Sequence, residues 1–260
     1  MKKILLSIFV LMFIFLTGCA SEDKKVETQL EKIIARDVLV VGVKTDSKPF
    51  GYINRNTGEI EGFDIDIAKY IAKDMLGSER KIKLVPVTPN TRIEAILSGQ
   101  VDMVMATMSI TPQRQFLIDF TQPYYIAGQT VMVKEDSTIQ NFSDLRKKTT
   151  IVVLGTTTEQ NIRRIIPTAR LSGYKNYEEA FKAFKEGKAD AFSSDNTILS
   201  GFLMDNKGYR ILKNKISQEP YAIGIMKNEE DNSLKKNLDI IIHRMQKDGT
   251  IKSLKKKWSV

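Results

Sequence analysis

The residues best suited to gripping a small anion stand in Ala106-Thr107-Met108-Ser109-Ile110-Thr111-Pro112-Gln113-Arg114. Thr111 followed by Pro112 has the form of a helix N-cap with proline in the first turn. A strand ending near Thr107 leaves free backbone amides at the strand-to-helix junction, and the Arg114 fork adds charge, which together suit a carboxylate. The same residues also fit a plain capped helix with Arg114 solvated or paired to Asp119. Catalysis has little to work with. The one histidine, His243, reads as helix surface, and the one thiol is Cys19. No P-loop, dinucleotide-binding glycine pattern or zinc-ligand cluster occurs, so no cofactor and no metal are expected. Asp64 and Asp66 read as a helix start favoured by the dipole.

The elements that must position these groups alternate. Val38–Val43 is a continuous apolar run, as in a strand covered on both faces. Asp64–Leu76 carries Ile67, Ala68, Ile71, Ala72 and Met75 on one helical stripe, with Gly77 as the stop. Ile82–Pro86 reads as a strand, Thr91–Ser98 as a short helix and Val101–Thr107 as a strand. The second half repeats the grammar: strand Thr150–Leu154, helix Thr158–Ile166, then helix Tyr177–Glu186 capped by Asn176 with Glu179. Strand Ala189–Ser193, helix Thr197–Asp205, strand Tyr221–Met226 and helices Ser233–Lys247 and Thr250–Trp258 complete it. Such alternation implies an α/β fold with mainly parallel sheets.

The chain has 260 residues, ordinary globular composition and a formal net charge of +9. Lys252 and Lys255 to Lys257 read as a solvated helix face. No zinc-finger or aromatic-basic motif accompanies the charge, so no nucleic-acid partner is expected. At the N-terminus, Lys2 and Lys3 precede an apolar run from Ile4 to Leu16, too short for a bilayer span but suited to a signal peptide. Leu16-Thr17-Gly18-Cys19 resembles the bacterial lipobox, which implies removal of residues 1–18 and lipidation of Cys19. Acyl chains then hold the protein at the outer face of the cell membrane without a transmembrane helix. The charged segment from Ser21 reads as a flexible tether, placed at residues 19–36.

Four segments follow one another in a recognisable order: Pro49-Phe50, Gly62-Phe63-Asp64, Ser109 to Arg114, and Asp119-Phe120-Thr121-Gln122-Pro123-Tyr124-Tyr125. Together they resemble the bacterial extracellular solute-binding proteins of family 3, the polar amino acid receptors of ABC importers. The likeness runs from about Val38 to Trp258. It implies a two-lobe periplasmic-binding-protein-like fold of type II, with the ligand in the cleft. Lobe 1 is expected at 37–127 plus 222–260 and lobe 2 at 128–221, with hinge crossings near 127–133 and 218–225. It further implies permease subunits as partners, a monomer and no enzymatic step.

Matched residue by residue, Arg114 grips the α-carboxylate, Ser109 supports it, and Thr107 and Met108 lend backbone groups. Asp195 takes the α-ammonium, although an Asp at that place also suits a helix N-cap. Thr156, Thr157 and Thr158 receive the far end of the ligand, with Thr157 in the central register. Phe50 is matched to an apolar wall and Tyr177 to a tyrosine near the ligand. Lys44 and Arg92 match basic residues of glutamate- and aspartate-binding members and suit a second carboxylate. The expected ligand is therefore L-glutamate or L-aspartate, with glutamine the nearest rival. A dehydratase of cyclic acids on the same fold, and a sensor or adhesin, are the other readings.

Overall fold

The computed structural model describes residues 27–260. The signal peptide at 1–18 and the lipidation of Cys19 lie outside the described residues. The tether reading needs correction at its C-terminal end, because Gln29–Arg36 is a helix, α1. Thr28 and Glu31 form a reciprocal capping box, Ile33 is buried, and Gln29 N–H donates to Asp231 at 2.8 Å. The helix is only eight residues long and follows the charged run at 22–25, which is why the segment reads as part of the tether.

The first half continues with β1 (Leu39–Val43), β2 (Asp46–Ser47), β3 (Gly51–Ile53), β4 (Ile60–Glu61), α2 (Phe63–Leu76), β5 (Ile82–Pro86) and α3 (Arg92–Leu97). β6 (Met103–Met105), α4 (Pro112–Leu117), β7 (Ile118–Phe120) and β8 (Tyr125–Ala127) follow. The second half holds β9 (Gln129–Lys134), β10 (Thr149–Val153), α5 (Thr158–Ile165), β11 (Arg170–Tyr174), α6 (Tyr177–Lys185), β12 (Ala191–Asp195), α7 (Asn196–Asp205) and β13 (Tyr209–Ile211). The chain ends with β14 (Glu219–Tyr221), β15 (Gly224–Met226), α8 (Ser233–Lys247) and α9 (Thr250–Trp258).

Two five-stranded sheets result, ordered β5-β1-β6-β15-β7 and β11-β10-β12-β9-β13. They are mixed rather than mainly parallel: in each, two neighbouring pairs are parallel and two antiparallel. The reason is connectivity. β15 and β9 enter their sheets directly from the other lobe, without the crossover helix that parallel neighbours need. Both faces of each sheet are covered. In lobe 1 the α2 residues Ile67 and Ile71 and the α8 residues Leu238 and Ile242 bury one face, while Ile96 of α3 and Ile118 close the other. Each such side chain contributes about 1.5–3 kcal/mol of transfer free energy.

The chain leaves lobe 1 after β8 and returns through β14, and these two strands pair antiparallel. Phe50 meets Tyr125 and Tyr221 edge-on at 5.2 and 5.6 Å. This ring contact fixes the start of the crossings to the lobe 1 core. Among the described residues, no helix is long and apolar enough to cross a membrane.

Asp64 does more than favour the α2 dipole. It is fully buried, and accepts from Thr107 N–H at 3.1 Å and from the Tyr124 hydroxyl at 2.9 Å. Thr107 has a left-handed φ of 47°, a rare conformation for a β-branched residue, and Asp64 braces it from behind. Burial pushes the Asp64 carboxyl up to about 7. A carboxyl raised on folding contributes most below its unfolded value and loses that contribution as pH rises towards 7. Asp64→Asn is therefore expected to cost most stability near pH 4. In urea titrations the deficit should narrow towards pH 7 by about 1.4 kcal/mol per pH unit; a deficit independent of pH would contradict the assignment.

Candidate ligand-binding site

Arg92 opens α3 and Arg114 lies in the first turn of α4, where the Thr111 hydroxyl accepts from its amide. Both side chains are buried and both turn across the cleft to one oxygen of lobe 2. Arg114 donates to Gly155 O at 3.1 Å and to Ser109 O at 2.7 Å; Arg92 donates to Ala106 O at 2.8 Å and Gly155 O at 3.5 Å. Burial and the neighbouring Arg114 bring the Arg92 guanidinium down to about 9, and burial also lowers Arg114. Both remain charged at neutral pH. Among the described residues neither has an ion-pair partner, and the buried Nε of Arg92 has no acceptor. Arg114 does not pair with Asp119.

Asp195 faces them from the end of β12. It occupies the N-cap position of α7, yet its side chain makes no capping bond and instead accepts from the Tyr221 hydroxyl. Burial, with the nearby charge of Glu219, raises its carboxyl to about 6. Two guanidiniums and an opposed carboxylate are complementary in charge to a zwitterion, the guanidiniums to a carboxylate and Asp195 to an ammonium.

The other expected residues fall around this centre in different ways. Ser109 and Met108 are buried, with the Met108 carbonyl accepting from Ala222 N–H. The Thr107 amide, expected to meet a ligand, is committed to Asp64 and anchors the loop instead. Thr157 donates to Glu219 at 2.9 Å and accepts from Gln129 at 2.6 Å. Thr156 donates to Val153 O, and Thr158 is buried at the head of α5. Phe50 lies inside the lobe 1 core rather than as an open wall. Tyr177 begins α6 and accepts from Ser194, with the Lys44 ammonium 5.2 Å from its ring centre.

Lys44 is buried and sits 2.7 Å from Asp46, so it is not a free cation. Asp46 carries no motif in the sequence, because its role depends on a partner in the other lobe. Its second oxygen accepts from Tyr177 N–H at 3.0 Å, 131 positions away and in the other lobe. Glu219 and Tyr221 fall in the crossing expected near 218–225, and nothing in that short segment marks them as site residues. Their importance comes from lying at the crossing, against α5 and Asp195.

At two glycines the lobes meet with no room for a side chain. A Cβ on Gly201 would lie 1.8 Å from Lys48 O, and one on Gly155 would lie 2.4 Å from Asn90 Oδ1. Next to the first contact, Lys48 pairs with Asp205 at 2.9 Å. A groove of about 900 Å³ runs along this flank between Tyr52 and Phe202.

Residues 39–260 match the model of the bacterial extracellular solute-binding proteins, family 3. The ABC transporter glutamine-binding protein GlnH of Bacillus subtilis is 40% identical over 269 residues, covering 99% of this chain and 97% of that protein. The glutamine-binding protein of Geobacillus stearothermophilus is 43% identical over 231 residues, with 83% and 88% covered. Among solved structures, the cysteine-binding protein of Campylobacter jejuni superposes with a TM-score of 0.83 at 31% identity, covering 89% of this chain and 92% of that one.

A glycine inside a helix costs about 0.5–1 kcal/mol relative to alanine, so Gly201 in α7 is explained by the close approach it permits. Gly201→Leu is expected to block the closed form while leaving the ligand-free melting temperature within a few degrees. Small-angle scattering of ligand-saturated protein should then give a larger radius of gyration than wild type; equal radii would show that closure does not need this contact.

Proposed function

The chain belongs to the bacterial extracellular solute-binding proteins of family 3, and on that premise we propose that its ligand is L-glutamine. The coarser statement is established: it is the amino acid-binding component of an ABC importer, acts outside the cytoplasm and performs no chemical conversion. The amino acid end of the reading is carried by the pair of buried guanidiniums, neither of them ion-paired among the described residues, opposite Asp195, and its glutamine end by the pairing of Lys44 with Asp46. The guanidiniums and Asp195 ask for an α-carboxylate and an α-ammonium on one small molecule.

Glutamine takes the place of the glutamate or aspartate first expected. That expectation rested on Lys44 and Arg92 as two cations reserved for a second carboxylate. Lys44 is already neutralised by Asp46, and Arg92 converges with Arg114 on Gly155 O. Two relatives at 40% and 43% identity carry glutamine in their names. In this reading Arg92, Ser109 and Arg114 hold the carboxylate, Asp195 the ammonium, and the amide end extends towards the lobe 2 threonines. The lobes bend about the crossings near 127–133 and 218–225, close on the ligand and present it to the permease. Cys19, lipidated after removal of 1–18, keeps the monomer at the membrane.

Calorimetry with the twenty amino acids is expected to give tightest binding to glutamine. Tightest binding of glutamate, aspartate or arginine would overturn this reading. Arg114→Ala should weaken glutamine by at least about 100-fold, from loss of charge-assisted bonds worth about 1.5–3 kcal/mol each. Unchanged affinity would remove Arg114 from the clamp.

A further inference from the structure

We propose that Asp46 sets the charge selectivity of the site: by holding Lys44 as a neutral pair, it makes the pocket accept a side-chain amide and refuse a side-chain carboxylate. The inference rests on the glutamine reading and adds to it the residue that enforces it.

The Lys44 side chain is only 2% exposed, so the pair is interior rather than a solvated surface contact. Its ammonium feels Arg92 as a like charge and stands against the Tyr177 ring, which places it at the lobe interface beside the arginine centre. Burial lowers the Lys44 ammonium from its usual value, so without Asp46 it would keep its proton only by meeting another anion, such as a ligand carboxylate. Asp46 removes that need from 2.7 Å away. It is itself held in place by Tyr177 N–H at 3.0 Å and by the Ser47 hydroxyl at 3.2 Å.

The buried charges then balance. Arg92 and Arg114 are offset by Asp195 and Glu219, and Lys44 by Asp46. A zwitterion with a neutral side chain leaves the balance unchanged. Glutamate adds one negative charge with no cation to receive it, and Asp64 behind the Thr107 loop makes the surroundings more negative whenever it is ionised. An uncompensated charge taken out of water is strongly disfavoured. The sign of the preference therefore depends on whether Lys44 is paired, and Asp46 decides that.

Asp46→Asn tests this with little change of shape, because the asparagine oxygen still accepts from Tyr177 N–H while the charge is lost. The readout is the ratio of glutamine to glutamate affinity by calorimetry on purified protein. Wild type is expected to favour glutamine, and Asp46→Asn to lower the ratio by at least about 10-fold as Lys44 becomes free. The double variant Lys44→Met/Asp46→Asn removes both charges and should restore the ratio to within about threefold of wild type. A glutamine-preferring wild type whose ratio survives in Asp46→Asn overturns this inference and leaves the ligand assignment standing. A wild type that does not prefer glutamine overturns the assignment, and this inference with it. Should Asp46→Asn fail to fold, Asp46→Ser, which also removes the charge, takes its place with the same two outcomes.

Discussion

Two like charges buried together are the constraint on which the rest of this structure turns. Arg92 and Arg114 repel each other while both are buried, and a carbonyl of the opposite lobe shares their donors. Such an arrangement persists only where the surrounding fold is strong enough to hold it. Two sheets covered on both faces supply that strength, and the pair in turn gives the cleft its appetite for an anion. Asp195 and Glu219 approach from the other side, so the field across the site runs from cations on lobe 1 to carboxylates on lobe 2.

The crossings connect the two sides of this field. Tyr221 stands on the returning strand, packs edge-on against Phe50 and donates to Asp195. Glu219, two residues earlier, collects Thr157, Asn161 and Ser217. The returning crossing is thus bonded both to Asp195 and to the head of α5. Small residues elsewhere let the lobes come together: Gly155 against Pro89 and Asn90, Gly201 against Lys48. A side chain at either place would hold the cleft ajar, which explains a glycine midway along α7 where propensity alone would disfavour it.

Much of this was legible in the residues themselves. Ile82–Pro86, Ser233–Lys247 and Thr250–Trp258 coincide with their expected bounds because length, period and flanking residues agreed. The Asn176 cap on Glu179 was read from local spacing and is present. Arg114 and Arg92 converge on Gly155 O, with the charge of Asp195 nearby, and these three were named from the family resemblance. What stayed hidden depends on contacts between distant segments. Asp46 matters through a helix 131 positions away, and Asp64 through a loop 43 positions on. Lys44 looked like a spare cation because its neutralising partner carries no motif. The antiparallel strands were missed for the same reason: β9 and β15 owe their direction to the lobe crossing, not to their own sequence.

The central claim is that the buried arginines and Asp195 recognise the two ends of one zwitterion. Affinity for glutamine measured beside that for its N-acetyl and α-carboxamide derivatives tests it most directly. Each blocked end should cost at least about 100-fold, since it leaves a buried charged group without its counter-charge. Binding of either derivative as tight as that of glutamine would contradict the account.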